Sequence, residues 1–507
     1  MAHACSFHLL PDASGESAQV FFRRPGRAPQ VLDVKKAGAK WEPTGLRAAT
    51  EPGYMNAQTQ APALPSKEAE NLWSDWVASL AGDHVDMFKL PDAFEPGKTF
   101  IPPSGKVLGA KETELMTRSS IEAWLTTGRY NAEFELRLAK YMDRPRAFTV
   151  NSGSSANLVA FSALCSPSLG DDALKPGDEV ITAGVGFPTT INPIINNGMI
   201  PVFVDADISG NINVDLIEAA ISPKTKAIMA AHTLGNPMKM DRIMEIANKH
   251  NLFVIEDCCD ALGGTYLGKK VGTFGDMATL SFYPAHHITM GEGGAVFPAT
   301  PELAKAAESI RDWGRDCYCG PGCDNTCGKR FGWQLGSLPA GYDHKYTYSN
   351  LGYNLKISDM QAACGVAQLD RLPGFVQARK DNHATLVAKC RALGLDAFLE
   401  LPEATPGSDP SWFGFLLVVK PEANTTRKDV VEYLEERKIG TRLLFAGNVT
   451  RQPYFEGRQF RLGSELPMAD RLMNDAFWIG IWPGLDEERL EFMAQTLAAY
   501  FGLGENW

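Results

Sequence analysis

The chain has 507 residues, 44% hydrophobic and 21% charged, which is ordinary for a folded protein with a large core and at least two domains. Its net charge of −11 excludes a generally basic nucleic-acid-binding surface, although local cations can still bind an anionic nucleotide. No apolar run reaches the length of a membrane span, and no secretory leader is evident. Ten cysteines in so long a chain do not indicate a disulfide scaffold. We therefore expect a cytoplasmic protein without nucleic-acid or membrane partners.

The first 64 residues differ in composition from the rest of the chain. Pro, Ala, Gly and Arg dominate stretches such as residues 23–29, and we expect residues 1–64 to be a flexible N-terminal extension. Helical periodicity begins near Glu68, and a loop follows at residues 94–105. We therefore expect a large domain to span residues 65–373.

From about residue 109 onward, short apolar strands alternate with helices. We predict a helix at 241–250 and strands at 179–183, 201–205, 227–231, 252–256 and 278–282. This alternation indicates an α/β fold with a mostly parallel sheet and helices on both faces. Sites in such sheets collect at the carboxyl ends of the strands, and Phe187, Asp257 and His286 follow predicted strands at that end.

A turn of small residues, Gly153, Ser154 and Ser155, opens an apolar helix. The free backbone N–H groups and the helix dipole at such a turn bind phosphate, but a plain Ser-Gly helix cap gives the same pattern. Asp257 at a strand end is likewise most often a turn or cap residue, and Phe187 has a core position as its alternative.

Residues 281–294 read Ser-Phe-Tyr-Pro-Ala-His-His-Ile-Thr-Met-Gly-Glu-Gly-Gly and contain no lysine. The imidazole of His286 can move protons near neutral pH. Unlike a lysine amine, it cannot hold an aldehyde cofactor as an imine.

Six cysteines fall in two regions, and their clustering favours metal binding over disulfides; they are Cys258, Cys259, Cys317, Cys319, Cys323 and Cys327. Because residues i and i+2 of a strand share a face, Cys259 is expected on the side of Asp257 and Cys258 on the other. Four thiolates hold a [2Fe–2S] cluster or a tetrahedral zinc ion, and composition alone leaves both open. The Gly-rich loop at 317–341 would be organised by this metal site.

The last segment, residues 374–507, predicts a smaller α/β domain. We expect a strand at 413–419, a helix at 428–437 and an amphipathic helix at 487–500.

Two features together resemble one branch of a known family. The segment at 281–294 resembles the Schiff-base segment S-F-x-x-x-K-x-x-x-x-G-E-G-G of the DegT/DnrJ/EryC1/StrS sugar aminotransferases, with His286 in the lysine position. The spacing C-x57-C-x-C-x7-C resembles the iron–sulfur-containing CDP-4-dehydro-6-deoxyglucose 3-dehydratases of that family; it joins Cys259, Cys317, Cys319 and Cys327. The resemblance covers about residues 65–507 and implies the PLP-dependent transferase fold type I.

The resemblance also implies a site for pyridoxamine 5′-phosphate (PMP), the amine form of pyridoxal 5′-phosphate (PLP). The phosphate would be held by Gly153, Ser154, Ser155 and Ser281, with Asn354 reaching it from the neighbouring subunit of a homodimer. Phe187 would stack on the ring, and Asp257 would keep the ring nitrogen protonated. His286 would be the base, and Asp260 and Tyr283 would flank the cofactor.

The implied reaction removes the carbon-3 hydroxyl of CDP-4-dehydro-6-deoxyglucose in 3,6-dideoxysugar synthesis for O-antigen and lipopolysaccharide. It requires PMP, a [2Fe–2S] cluster on the four cysteines of the family spacing, and an NADH-dependent flavin and iron–sulfur reductase as partner. Three alternatives stay open: a dTDP-linked substrate of antibiotic-sugar synthesis, a PLP-dependent aminotransferase, and a non-catalytic relative with a structural zinc. His286 disfavours the second, and retention of Asp257 and Ser281 disfavours the third.

Overall fold

The computed structural model describes residues 6–11, 17–23, 30–37, 40–48, 93–320 and 322–504. The chain divides into one compact unit of Met1–Met87 and Leu108–Trp124 and a second of Phe88–Val107 and Leu125–Trp507. The helix predicted to begin near Glu68 lies outside the described residues. The domain boundaries after residues 64 and 373 stay predictions.

The first unit contains an antiparallel sheet whose strands pair in chain order; they are β1 (Ser6–Pro11), β2 (Ser17–Arg23), β3 (Gln30–Ala37) and β4 (Lys40–Ala48). Its helix α1 spans Ala110–Glu122. The sequence predicts a flexible extension here and none of these strands. The reason is that Pro, Gly and Arg at residues 24–29 dominate the local composition, whereas strand alternation is confined to short runs.

The second unit contains the remaining strands, which in chain order are β5 (Phe148–Val150), β6 (Glu179–Ala183), β7 (Ile200–Val204), β8 (Thr225–Ala231), β9 (Phe253–Asp257), β10 (Thr265–Tyr266), β11 (Lys269–Lys270), β12 (Met277–Ser281), β13 (Gly294–Pro298), β14 (Leu399–Glu400), β15 (Ser408–Asp409), β16 (Phe415–Val419), β17 (Thr441–Leu443), β18 (Arg461–Leu462) and β19 (Ala476–Ile479). Eight of them form one sheet in the order β18-β7-β6-β8-β9-β12-β13-β5. Its pairings are parallel except β12–β13 and β13–β5. A smaller antiparallel sheet has the order β14-β16-β19-β17, and β11-β10-β15 is a third.

The helices of the second unit, in chain order, are α2 (Arg129–Tyr141), α3 (Gly153–Leu164), α4 (Pro188–Asn196), α5 (Val214–Ile217), α6 (Met240–His250), α7 (Pro301–Arg311), α8 (Asp359–Ala392), α9 (Arg427–Glu436), α10 (Pro467–Asp475) and α11 (Glu487–Tyr500). The long helix α8 begins with a capping box. Ser358 Oγ accepts the N–H of Gln361, and the Gln361 side chain accepts the N–H of Ser358 at 2.8 Å. The predicted boundary after residue 373 falls inside α8. Across the described residues, every helix is too short or too polar to cross a bilayer.

The predicted α/β architecture with a mostly parallel sheet is confirmed. The five strands predicted for the large sheet are present as β6, β7, β8, β9 and β12, each with ends within two residues of the prediction. Apolar runs without alternation become strands buried on both faces, and every residue of β6 and β12 is buried. Neighbouring parallel strands β9 and β12 end at Asp257 and Ser281, so these two side chains reach the same edge of the sheet.

Candidate active site

Asp257 ends β9 with its carboxylate buried and tightly oriented. Oδ2 accepts hydrogen bonds from Thr190 Oγ1 at 2.7 Å and Asn157 Nδ2 at 2.8 Å, and Oδ1 accepts the N–H of Cys259 at 3.1 Å. Asn157 is itself fixed, because its Oδ1 accepts from Thr279 Oγ1 at 2.7 Å. The carboxylate is therefore held at the strand end by three elements, ready to accept a bond from a cationic N–H.

The N-terminus of α3 lies against the end of β12. Ser152 caps the helix, its Oγ accepting the N–H of Ser155 at 3.1 Å. A Cβ on Gly153 would lie 2.5 Å from Ser281 Cβ, 2.9 Å from Ser281 Oγ and 3.1 Å from Cys259 Sγ. Only glycine allows this approach. First-turn N–H groups of Gly153 and the exposed Ser154 have no intrahelical acceptor, and with the Ser281 hydroxyl they form a cradle for an anion such as phosphate.

Phe187 stands on the same edge, just before α4, which also carries Thr190. Its side chain is 51% exposed and meets Phe445 edge-on at 6.0 Å between ring centroids. This exposure excludes the alternative that Phe187 is a core residue. The free ring face can cover a planar ligand bound above Asp257.

His286 lies in the turn after β12, with its side chain 15% exposed and its Nδ1 atom buried. Its Nδ1 lies 3.5 Å from Asp260 Oδ1, and its ring packs on Phe413 with centroids 5.1 Å apart. The backbone N–H of His286 donates to Tyr283 O at 2.9 Å, which closes the turn and leaves the Tyr283 side chain 53% exposed. The structure thus brings His286 and Asp260 together, with Tyr283 at the rim.

Burial controls the charge of this pair. It lowers the pKa of His286 to about 4, and the nearby Arg379 cation acts in the same direction. Burial raises the pKa of Asp260 to about 8, and the Asp257 carboxylate adds to this rise. His286 is therefore a neutral imidazole at physiological pH, the form that accepts a proton.

Arg379 on α8 was not identified from the sequence. It is 1% exposed, and its guanidinium donates to the carbonyl oxygens of Ala285, His286, Trp412 and Phe413 at 3.1–3.3 Å. These bonds tie the turn that carries His286 to the segment that carries Phe413. No local motif marks Arg379, because its partners lie 33 to 94 residues away along the chain.

The assignment of four cysteines as metal ligands stays a prediction, and the structure places three of them at one cavity. The thiols of Cys317, Cys319 and Cys327 line one cavity, but Cys259 does not line it and lies instead beside Gly153. His344, also in the cavity lining, has its Nδ1 4.0 Å from Cys327 Sγ. Three thiols fit part of a [2Fe–2S] ligand set, and with an imidazole they also fit zinc.

Cys258 points to the other side of β9. With His232 and Glu256 it forms the group of three potential ligands within 4.8 Å of one another that the described residues contain. His232 Nδ1 accepts the N–H of Met238 at 3.0 Å, and Glu256 accepts three backbone N–H groups at 2.7–2.8 Å. Burial keeps the pKa of Cys258 well above its usual value, so the thiol stays neutral. The group is therefore structural, and the bonds that Glu256 accepts order the turn at residues 272–275.

Asn354 is exposed. Its side chain accepts a bond from Lys356 Nζ at 2.8 Å, and its backbone forms a bridge with Asp312. The next residue, Leu355, accepts the N–H of Asn151 at 2.7 Å, so the chain here passes behind the α3 turn. The exposed amide leaves Asn354 free to contact another chain.

Comparison with known proteins adds the family context. The model of the DegT/DnrJ/EryC1/StrS aminotransferase family matches residues 107–498. The chain is 59% identical over 436 residues, 86% of this chain and 99% of the relative, to the lipopolysaccharide biosynthesis protein RfbH of Salmonella typhimurium. It is 50% identical over 408 residues, 80% of this chain and 88% of the relative, to dTDP-4-dehydro-2,6-dideoxy-D-glucose 3-dehydratase of Saccharopolyspora spinosa.

Solved structures resemble the chain as well. The E. coli GDP-4-keto-6-deoxy-D-mannose-3-dehydratase with bound hydrated PLP matches with a TM-score of 0.70 and 26% identity, covering 78% of this chain and 99% of that one. This likeness confirms the predicted PLP-dependent transferase fold.

Proposed function

This chain belongs to the DegT/DnrJ/EryC1/StrS aminotransferase family, and from that premise we propose that it is a PMP-dependent nucleotide-sugar 3-dehydratase. One observation carries the proposal. In the position where the aminotransferases have a lysine, a largely buried neutral His286 faces Asp260, and the segment 281–294 contains no lysine. The site keeps a base and loses the amine that transamination requires.

The residues present fit PMP. The α3 N-terminus and the Ser281 hydroxyl suit a phosphate, Asp257 suits a protonated ring nitrogen, and Phe187 presents an exposed ring face. When bound, PMP supplies a primary amine for a keto sugar and a ring that withdraws electrons. Without a lysine, only non-covalent contacts hold it, which favours the amine form over the aldehyde.

The protein's own groups then have separate tasks. With PMP bound, neutral His286 would be the group that accepts a proton from the cofactor methylene carbon, and Asp260, 3.5 Å from the imidazole, would orient it. Asp257, held by Thr190 and Asn157, would keep a positive charge on the ring nitrogen of the bound cofactor. Arg379 fixes the turn of His286 by its bonds to backbone carbonyls.

The proposed substrate is CDP-4-dehydro-6-deoxyglucose, on the route to the 3,6-dideoxysugars of O-antigen and lipopolysaccharide, in the cytoplasm. The 59% identity to a lipopolysaccharide biosynthesis protein supports this choice. The second candidate is a dTDP-linked 4-keto sugar, which the 50% identity to a dTDP-sugar 3-dehydratase favours. The full reaction replaces the carbon-3 hydroxyl by hydrogen, so two electrons and two protons enter and one water leaves.

We propose that an NADH-dependent flavin and iron–sulfur reductase supplies these electrons, and that a [2Fe–2S] cluster is held by Cys259, Cys317, Cys319 and Cys327. The chain works as a homodimer in this proposal. Thr326 lowers the pKa of the Cys319 thiol through a 2.7 Å hydrogen bond, which favours the thiolate that a cluster needs.

The test supplies PMP, NADH and a reductase of this type with CDP-, dTDP- and GDP-linked 4-keto-6-deoxysugars in parallel. We expect a product lighter by one oxygen from the CDP sugar, and iron with equimolar acid-labile sulfide in the protein. Cys317→Ser should lose iron and the reduced product, whereas Cys323→Ser, in the same loop but exposed, is the matched control and should keep both. An amino sugar formed with PLP and an amino donor would show an aminotransferase instead.

A further inference from the structure

The four proposed cluster ligands occupy two places in the chain. Cys259 Sγ lies beside Gly153 and Ser281, at the cradle for the cofactor phosphate. Cys317 and its two loop partners line a separate cavity together with Asn325, Arg330, His344 and Lys345. A [2Fe–2S] cluster needs four thiolate ligands, and the loop cavity of one chain offers three.

The cysteine loop, residues 313–353, is anchored at its base to the segment that leads to Asn354. Trp313 N–H donates to Tyr353 O at 2.7 Å, and Asp316 N–H donates to Thr347 O at 2.9 Å. The loop cysteines therefore lie next to this pair of hydrogen-bonded segments, and the pair ends at the exposed side-chain amide of Asn354. Whatever covers Asn354 also lies next to the base of the loop.

The cysteine loop is rich in exposed large hydrophobic side chains. Of the twenty large hydrophobic side chains that are exposed in the described residues, eight lie between residues 313 and 353, including Leu351 at 88%, Phe331 at 60% and Tyr348 at 54%. Exposed aromatic side chains concentrated in one segment are typical of a protein–protein interface. Cys317, Cys319 and Cys327 belong to the same segment.

We propose that a second copy of this chain covers the cysteine loop and that each [2Fe–2S] cluster is shared, with Cys317, Cys319 and Cys327 from one subunit and Cys259 from the other. This inference rests on the proposed cluster. A second copy is the occupant that brings the missing thiolate, and a two-fold dimer makes two such sites because each loop meets the partner's cofactor edge. The arrangement places iron beside the cofactor cradle, whereas a loop closed on itself would keep it in the separate cavity.

Mixed dimers test the sharing directly. Cys259→Ser and Cys317→Ser chains with different affinity tags are co-expressed, and dimers with one chain of each are purified by both tags. In a shared arrangement one site loses both its Cys259 and its loop, and the other pairs an intact Cys259 with an intact loop. We expect about half of the wild-type iron and sulfide per mixed dimer, and none in either parent homodimer.

The matched control pairs Cys317→Ser with Cys327→Ser, two variants of the same loop. Every site of that dimer has a broken loop, so we expect no iron. If Cys317→Ser folds poorly, Cys319→Ser takes its place in the mixed dimer with Cys259→Ser. The expected iron and sulfide content is again about half of the wild-type value.

Three results would overturn the inference. A mixed Cys259→Ser and Cys317→Ser dimer without iron, beside an iron-loaded wild type, would mean that each cluster belongs to one chain. A Cys259→Ser homodimer with full metal content would mean that His344 or another loop group completes the set. A wild-type protein free of iron would remove the proposed cluster itself, and the sharing with it.

Discussion

Replacing His286 by asparagine isolates its role as the base. The buried imidazole is neutral at pH 7, because its pKa is lowered to about 4, and it faces Asp260 across 3.5 Å. Asparagine keeps a polar atom on that side but accepts no proton. The bond from Arg379 goes to the backbone oxygen of residue 286, so the substitution leaves the turn anchored.

The expected loss of reaction rate is large and is confined to the step in which the proton is removed. Loss of a general base costs about a hundredfold to ten-thousandfold in rate, or about 3–5 kcal/mol in the barrier. The assay follows exchange of the PMP methylene hydrogens with deuterated water in the presence of substrate, by mass spectrometry. PMP affinity and iron content serve as controls and should match the wild type. Exchange at the wild-type rate in His286→Asn would refute the assignment of the base.

The reverse substitution tests the missing amine. With PLP, His286→Lys should form a covalent linkage that borohydride traps on residue 286, because a lysine amine in this position can attack the aldehyde. The wild type should show no trapping. Trapping of wild-type protein on a different lysine would mean that the position has been assigned wrongly.

Three further predictions concern stability and cofactor affinity. Gly153→Ala places a carbon 2.5 Å from Ser281 Cβ, an overpacking that costs about 1–3 kcal/mol. It should weaken PMP binding about tenfold or more in a fluorescence titration. Unchanged affinity would mean that this turn does not bind the cofactor phosphate. Thr190→Val deletes a 2.7 Å bond to the buried Asp257, and urea unfolding should show a loss of about 1–3 kcal/mol. Burial lowers the pKa of His383 to about 3, so its neutral form stabilises the fold fully above pH 6.5 and this contribution falls by about 1.4 kcal/mol per pH unit below it. His383→Phe should therefore lose less stability than the wild type between pH 6.5 and pH 4, and parallel pH profiles would contradict the burial of a neutral imidazole.

Local patterns in the sequence were enough for the large sheet and for the strand-end residues. Apolar runs of five residues between helices have one stable outcome, a parallel strand buried on both faces, and the ends of β9 and β12 follow from it. Asp257 and Ser281 could therefore be expected on one edge before any coordinates. The N-terminal strands were missed because their pairing depends on short runs next to residues 24–29, whose Pro, Gly and Arg composition is typical of flexible segments.

The sequence by itself determined which chemical groups the site contains: an imidazole in place of an amine, a strand-end carboxylate, a small-residue turn and four spaced thiols. Only the tertiary structure decided how they are grouped. Burial, which sets the charge of His286 and Asp260, comes from Phe413 and Arg379, residues more than ninety positions away that no local pattern ties to the turn. The cysteine spacing likewise says nothing about position in space. In the folded chain three of the thiols line the loop cavity, whereas Cys259 lies beside Gly153 at the end of β9.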